Sequence, residues 1–75
     1  MLKEDVLSAI ADILDVKVEE LAENKKLYDS IGVDSTEMVE LTLSLGKRFG
    51  VKIETNEITK FSTPFEIAQV IEKKK

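Results

Sequence analysis

The 75-residue chain has no cysteine, no histidine, one proline and three glycines. Without cysteine there are neither disulfides nor thiolate metal sites, so the fold stands on packing alone, a condition suited to a reducing compartment. Without histidine or cysteine, a serine nucleophile loses its usual base and a thiol nucleophile is excluded. The glycines form no phosphate-cradling loop. No apolar run is long enough for a membrane span. The opening segment MLKEDVLSAIADIL carries Glu4, Asp5 and Asp12 inside its apolar pattern, so it reads as neither a secretory signal nor a membrane segment. The expectation is a cytoplasmic protein with no membrane insertion.

What is present fits one small folded unit over residues 1–75. Hydrophobic residues make up 43% and charged residues 35% of the chain, the balance of a globular domain and not of a disordered tail. A chain this short buries only about 60% of the surface it exposes when unfolded, enough for a single core and too little for a large buried active site. The net charge is −4, unevenly distributed. Residues 29–44 hold Asp29, Asp34, Glu37 and Glu40 with no Lys or Arg, whereas residues 45–60 hold Lys47, Arg48, Lys52 and Lys60 against Glu54 and Glu57. The acidic stretch argues against nucleic acid as a partner, since phosphate backbones select for clustered cations. The closing Lys73, Lys74 and Lys75 read as a solvated helix end, where cations oppose the negative pole of the helix dipole.

Periodicity predicts an all-α protein, a small bundle of three main helices plus one short helix, with a long first loop. Val6, Leu7, Ile10, Ile13 and Leu14 share one face of a helix over residues 2–14. Residues 16–34 lack sustained periodicity and read as a loop, pinned by Val18, Leu21, Leu27, Tyr28 and Ile31, with one helical turn at Glu19 to Ala22. The segment VELTLSL alternates like a strand. Its flanks decide for a helix over 35–49: Asp34 and Glu37 form a capping-box pattern, Lys47 and Arg48 occupy the last turn, and Gly50 follows. A short turn is expected around Glu57 to Lys60. Thr63, Pro64 and Glu66 then open a last helix from 64 to about 73, with Ile67, Ala68, Val70 and Ile71 inward and Phe65 packed on Phe61.

On the helix over 35–49, Met38, Leu41, Thr42, Leu45 and Phe49 fall on one arc that must face the core. Val39 and Leu43, joined by the Thr36 methyl, fall on a second arc that the bundle does not require and that either docks a partner or packs beneath the long loop. Ser35 projects near this second stripe, beside Glu37 and Glu40.

The stretch SIGVDSTE raises the question of what Ser35 does. It lacks the base and the glycine spacing of a nucleophile elbow. A calcium loop is excluded as well, because Ile31 stands where an oxygen ligand is needed, so no metal site is expected. What remains is a serine at a helix N-terminus, a position that favours an attached phosphate or simple capping. Asp34 can already serve as the cap, which leaves Ser35 free.

The run SIGVDSTEMVELTLSLGKRFGVKIE, with the helix pattern before it and TPFEIAQVI after it, resembles acyl carrier proteins over nearly the whole chain. The resemblance implies a non-catalytic carrier in fatty acid or specialised lipid or polyketide synthesis. In that family G-x-D-S opens the second helix and the serine receives 4′-phosphopantetheine from coenzyme A through a phosphodiester bond. Ser35 matches that serine, Gly32 the loop glycine, and Asp34 the aspartate that meets the metal of the phosphopantetheinyl transferase. Glu37 and Glu40 match the acidic positions read by basic surfaces of acyl-loading and acyl-processing enzymes. Thr36, Val39 and Leu43 match the apolar contacts, and Lys47 lies at the far edge of that partner surface. The implied protein is a monomer carrying acyl groups as thioesters, with Leu45, Ile53, Ile58 and Phe61 as candidates to receive the chain. Thr36, Lys47 and Arg48 depart from the fatty-acid members, where position 36 is often Leu or Met and the basic pair is commonly acidic, which points to a specialised member. Aminoacyl carriers, D-alanyl or peptidyl, share the motif. An unmodified helical interaction module is the alternative from another class.

Overall fold

The computed structural model describes residues 2–22 and 24–75, the side chain of Leu2 excepted. Four α-helices follow in order: α1 (Leu2–Leu14), α2 (Leu27–Ile31), α3 (Ser35–Phe49) and α4 (Pro64–Lys74), with a 3₁₀ turn at Val18–Glu20. The all-α bundle expected from the sequence is present, and its three long helices fall within a residue of their expected limits.

Each long helix ends where local chemistry allows. After α1, Asp15 adopts a left-handed conformation with φ 56°, which aspartate tolerates better than most residues, and the Val16 N–H returns to the Ala11 carbonyl at 2.9 Å. Helix α3 stops at Gly50, whose N–H bonds the Gly46 carbonyl. Helix α4 opens on a capping box: Thr63 N–H donates to Glu66 Oε1 at 2.8 Å and Glu66 N–H donates to Thr63 Oγ1 at 3.1 Å. Pro64 at the first helical position gives up an N–H that would be unpaired there in any case.

Helix α1 packs against both α3 and α4. Val6, Ala9 and Ile10 of α1 meet Met38, Leu41 and Leu45 of α3 and Ile67, Ala68 and Ile71 of α4 in one buried cluster. Burying each Leu or Ile side chain stabilises the fold by roughly 1.5–3 kcal/mol relative to exposure. Val70 and Phe49 pack half-buried against the cluster, as their arcs predict. Gly46 sets how closely the chain after α3 can return: a Cβ there would lie 2.8 Å from the Val51 carbonyl oxygen.

Three local expectations are corrected. The long loop contains α2, whose first amides are held from outside: Leu27 N–H donates to the Ser62 carbonyl at 3.1 Å and Tyr28 N–H to the Lys60 carbonyl at 2.8 Å. The helical turn expected at Glu19 to Ala22 is the 3₁₀ turn at Val18–Glu20, closed by Lys17 N–H donating to Glu20 Oε2 at 2.9 Å. The short turn expected around Glu57 is present, with Glu57 N–H on the Glu54 carbonyl at 3.0 Å. Phe61 does not take Phe65 as its partner. It meets Tyr28 at 5.8 Å between ring centroids, while Phe65 lies beneath the Lys3 ammonium at 5.5 Å. The reversal of the chain into the Thr63 cap carries Phe61 away from the helix that Phe65 belongs to.

Candidate functional site

The site grows from the junction of α2 and α3. Gly32 caps α2 in the left-handed region at φ 65°, and its N–H bonds the Tyr28 carbonyl at 3.1 Å. A side chain would be strained in that conformation, so glycine turns the chain sharply into α3. Val33, buried, anchors the turn. Asp34 then caps α3: its Oδ1 accepts the Glu37 N–H at 2.8 Å, and Glu37 Oε1 accepts the Asp34 N–H at 3.1 Å. This reciprocal pair occupies two of the four amides that a helix start leaves without intrahelical partners. Those of Ser35 and Thr36 remain at the helix mouth.

Ser35 is the first helical residue and is exposed. Among the described residues its hydroxyl has no hydrogen-bond partner. It stands at one end of an open cleft of about 300 Å³. Met38, Val39 and Thr42 of α3 continue the same wall, and Thr55, Ile58, Thr59, Lys60 and Phe61 form the opposite one. The Thr42 hydroxyl is not available to that cleft as a donor, because it donates to the Met38 carbonyl at 2.7 Å. A second cleft, about 380 Å³, begins at Thr42 and Thr55, which it shares with the first, and runs past Leu43 and Ile53 to Lys47 and Lys52.

Of the two alternatives left open for the second stripe of α3, packing beneath the long loop is not what the structure shows: Val39 is 47% and Leu43 58% exposed. Thr36, Glu37, Glu40 and Lys47 are exposed on the same helix. Of the expected site residues, Ser35 and Val39 share the first cleft, Leu43 and Lys47 share the second, and Gly32, Asp34 and Glu37 build the turn that presents Ser35. Thr36 and Glu40 line neither cleft. Arg48 leaves this surface, its Nη2 held 2.8 Å from Asp12 Oδ2 of α1.

Of the four residues named as candidates to receive an acyl chain, Ile58 and Phe61 line the first cleft and Ile53 the second, whereas Leu45 is fully buried and lines neither. Sequence reasoning did not find Thr55, Thr59 or Lys60, because the wall they form is brought opposite Ser35 only by tertiary hydrogen bonds. The usable signal was Leu27 and Ile31 four residues apart before Gly32, a short helix with its cap.

Among the described residues, no helix is long and apolar enough to cross a membrane. The family model described as the phosphopantetheine attachment site matches residues 4–71. The chain is 38% identical over 69 residues to an acyl carrier protein of Thermotoga maritima, covering 92% of this chain and 85% of that one. It is 31% identical over 72 residues to an acyl carrier protein of Wolinella succinogenes, covering 96% and 95%. It is also 31% identical over 61 residues to the polyketide-8 synthase acyl carrier protein 2 of Streptomyces avermitilis, covering 81% and 70%. An exposed serine at the mouth of a capped helix, a free apolar stripe beside it and a match over nearly the whole length together place the chain in the acyl carrier protein family, the bearers of phosphopantetheine.

Proposed function

We propose that Ser35 is the attachment point of 4′-phosphopantetheine and that the chain delivers acyl groups between enzymes of a specialised pathway, itself catalysing no step. The observation that carries this reading is the exposed Ser35 hydroxyl, unpartnered among the described residues because Asp34 has taken over the capping role. The surroundings fit the group. The Ser35 and Thr36 amides and the positive end of a 15-residue helix favour a phosphate on that oxygen, and the adjoining cleft offers a surface for an arm. When bound, the arm supplies a terminal thiol that holds an acyl group as a thioester.

In the attachment reaction Ser35 contributes only its oxygen. A bond forms from Oγ to the pantetheine-bearing phosphorus of coenzyme A, the bond from that phosphorus to the bridging pyrophosphate oxygen breaks to release adenosine 3′,5′-bisphosphate, and the hydroxyl proton leaves. The chain has no histidine or cysteine to take that proton, and the Asp34 carboxylate is engaged with the Glu37 amide. In this reading the phosphopantetheinyl transferase supplies the base. Glu37 and Glu40 offer charge to basic partner surfaces, and Val39 and Leu43 offer apolar area between them.

Incubation with coenzyme A and a broad-specificity phosphopantetheinyl transferase, followed by intact-mass measurement, tests the assignment. The wild type should gain one phosphopantetheine and Ser35→Ala none. Addition to the alanine variant would move the site elsewhere.

A further inference from the structure

The wall opposite Ser35 carries one charge. Of the residues lining the first cleft, Lys60 alone is ionised. It is half-buried, and among the described residues it forms no ion pair. Its ammonium is instead steadied by two rings, at 5.2 Å from the centre of Tyr28 and 5.5 Å from that of Phe61. Both distances lie within the ~6 Å over which a ring face attracts a cation. The rings are themselves set against each other with 56° between their planes, and the bond from the Tyr28 N–H to the Lys60 carbonyl fixes the backbone beneath them. Ring faces hold an ammonium in place but leave its full charge uncompensated. In a chain of net charge −4, a lysine positioned this way without a carboxylate is poised for an anion from outside the fold.

We infer that Lys60 is the counter-ion of the phosphate attached at Ser35, and that it keeps the root of the prosthetic arm against the cleft and out of bulk solvent. The inference rests on the assignment of Ser35 above. The same ammonium suits a carboxylate on the cargo, but the phosphate is fixed to an oxygen of the same cleft, whereas the cargo sits at the arm's far end. Phosphate therefore pairs with it in the unloaded carrier, whatever the cargo.

The test uses unloaded, phosphopantetheinylated protein, so that phosphate is the only added anion. Wild type, Lys60→Gln, Lys60→Arg and Lys52→Gln are compared by ³¹P NMR at low salt, with intact mass confirming one arm on each. Lys52→Gln makes the same change in net charge on the second cleft. Lys60→Gln should displace the ³¹P resonance by more than its line width, Lys60→Arg should restore it, and Lys52→Gln should leave it in place. Independently of any substitution, rising NaCl should move the wild-type resonance towards that of Lys60→Gln, since screening shortens to about 3 Å at 1 M. A chain that gains no mass at Ser35 overturns that assignment and this inference with it. A mass gain with identical ³¹P spectra in wild type and Lys60→Gln, or an equal displacement in Lys52→Gln, overturns this inference alone.

Discussion

Two adjacent residues divide labour that in many helices falls to one. Asp34 satisfies the backbone and Ser35 is left with a free hydroxyl, so the structural and chemical roles separate under substitution. Asp34→Ala should cost about 1 kcal/mol of stability, the usual value of an N-cap. Ser35→Ala, an exposed change away from the core and from the cap, should stay within about 0.5 kcal/mol. Urea unfolding of both variants checks the order, and a larger loss for Ser35→Ala would show that the cap is misplaced. This pairing was legible in the sequence because D-S-T-E states it within four residues. Lys60 was not, since its role depends on Tyr28, Phe61 and the α2 backbone, none of which a linear reading places beside Ser35.

Among the elements, the long helices were legible for physical reasons that operate locally: an apolar stripe of helical period in each, an N-cap three residues before a glutamate in α3 and α4, and a glycine after α3. Helix α2 has five residues, so its sequence signal is a single pair, Leu27 and Ile31, before Gly32, and its first amides find their carbonyls across the molecule. Element-scale stability also depends on the turn after α3. Glu57 Oε1 accepts the Glu54 N–H at 2.8 Å and lies 3.0 Å from Lys74 Nζ on α4. The Glu54 N–H and then the Lys74 ammonium hold the Glu57 carboxyl below the ordinary glutamate value of 4.5. A carboxyl whose folded value is depressed stabilises the fold above its unfolded value and loses that contribution as pH falls through the folded one. The advantage of wild type over Glu57→Gln in urea unfolding should therefore be full above pH about 5 and shrink below the ordinary glutamate value. A pH-independent difference would mean that neither the Glu54 N–H bond nor the Lys74 pairing forms.

For the whole molecule, about 27 × 26 × 19 Å, the distribution of charge matters more than its sum. Glu37 and Glu40 stand beside the free stripe near Ser35, while Lys47 sits at the other end of the same helix. Arg48, which the sequence groups with Lys47, spends its charge on Asp12, so the two basic residues are not equivalent. Charge complementarity sets encounter rate and specificity more than affinity. Lys47→Glu should accordingly raise the turnover of the phosphopantetheinylated chain by a generic fatty-acid ketosynthase more than Arg48→Glu does, and the gain should diminish with salt. Steady-state kinetics of the three proteins at two ionic strengths decide it. Equal service of wild type and Lys47→Glu would favour a housekeeping carrier over a specialised one.

The two amides that tie α2 to the far wall also bear on how the protein breathes. Local opening proceeds in cooperative units set by shared hydrogen bonds. The bonds from Leu27 and Tyr28 to Ser62 and Lys60 tie the loop before α3 to the segment after it, although α3 separates them in the chain. Any displacement of the wall that faces Ser35 would therefore either break these two bonds or carry α2 along, and with it the Gly32 turn from which Ser35 emerges.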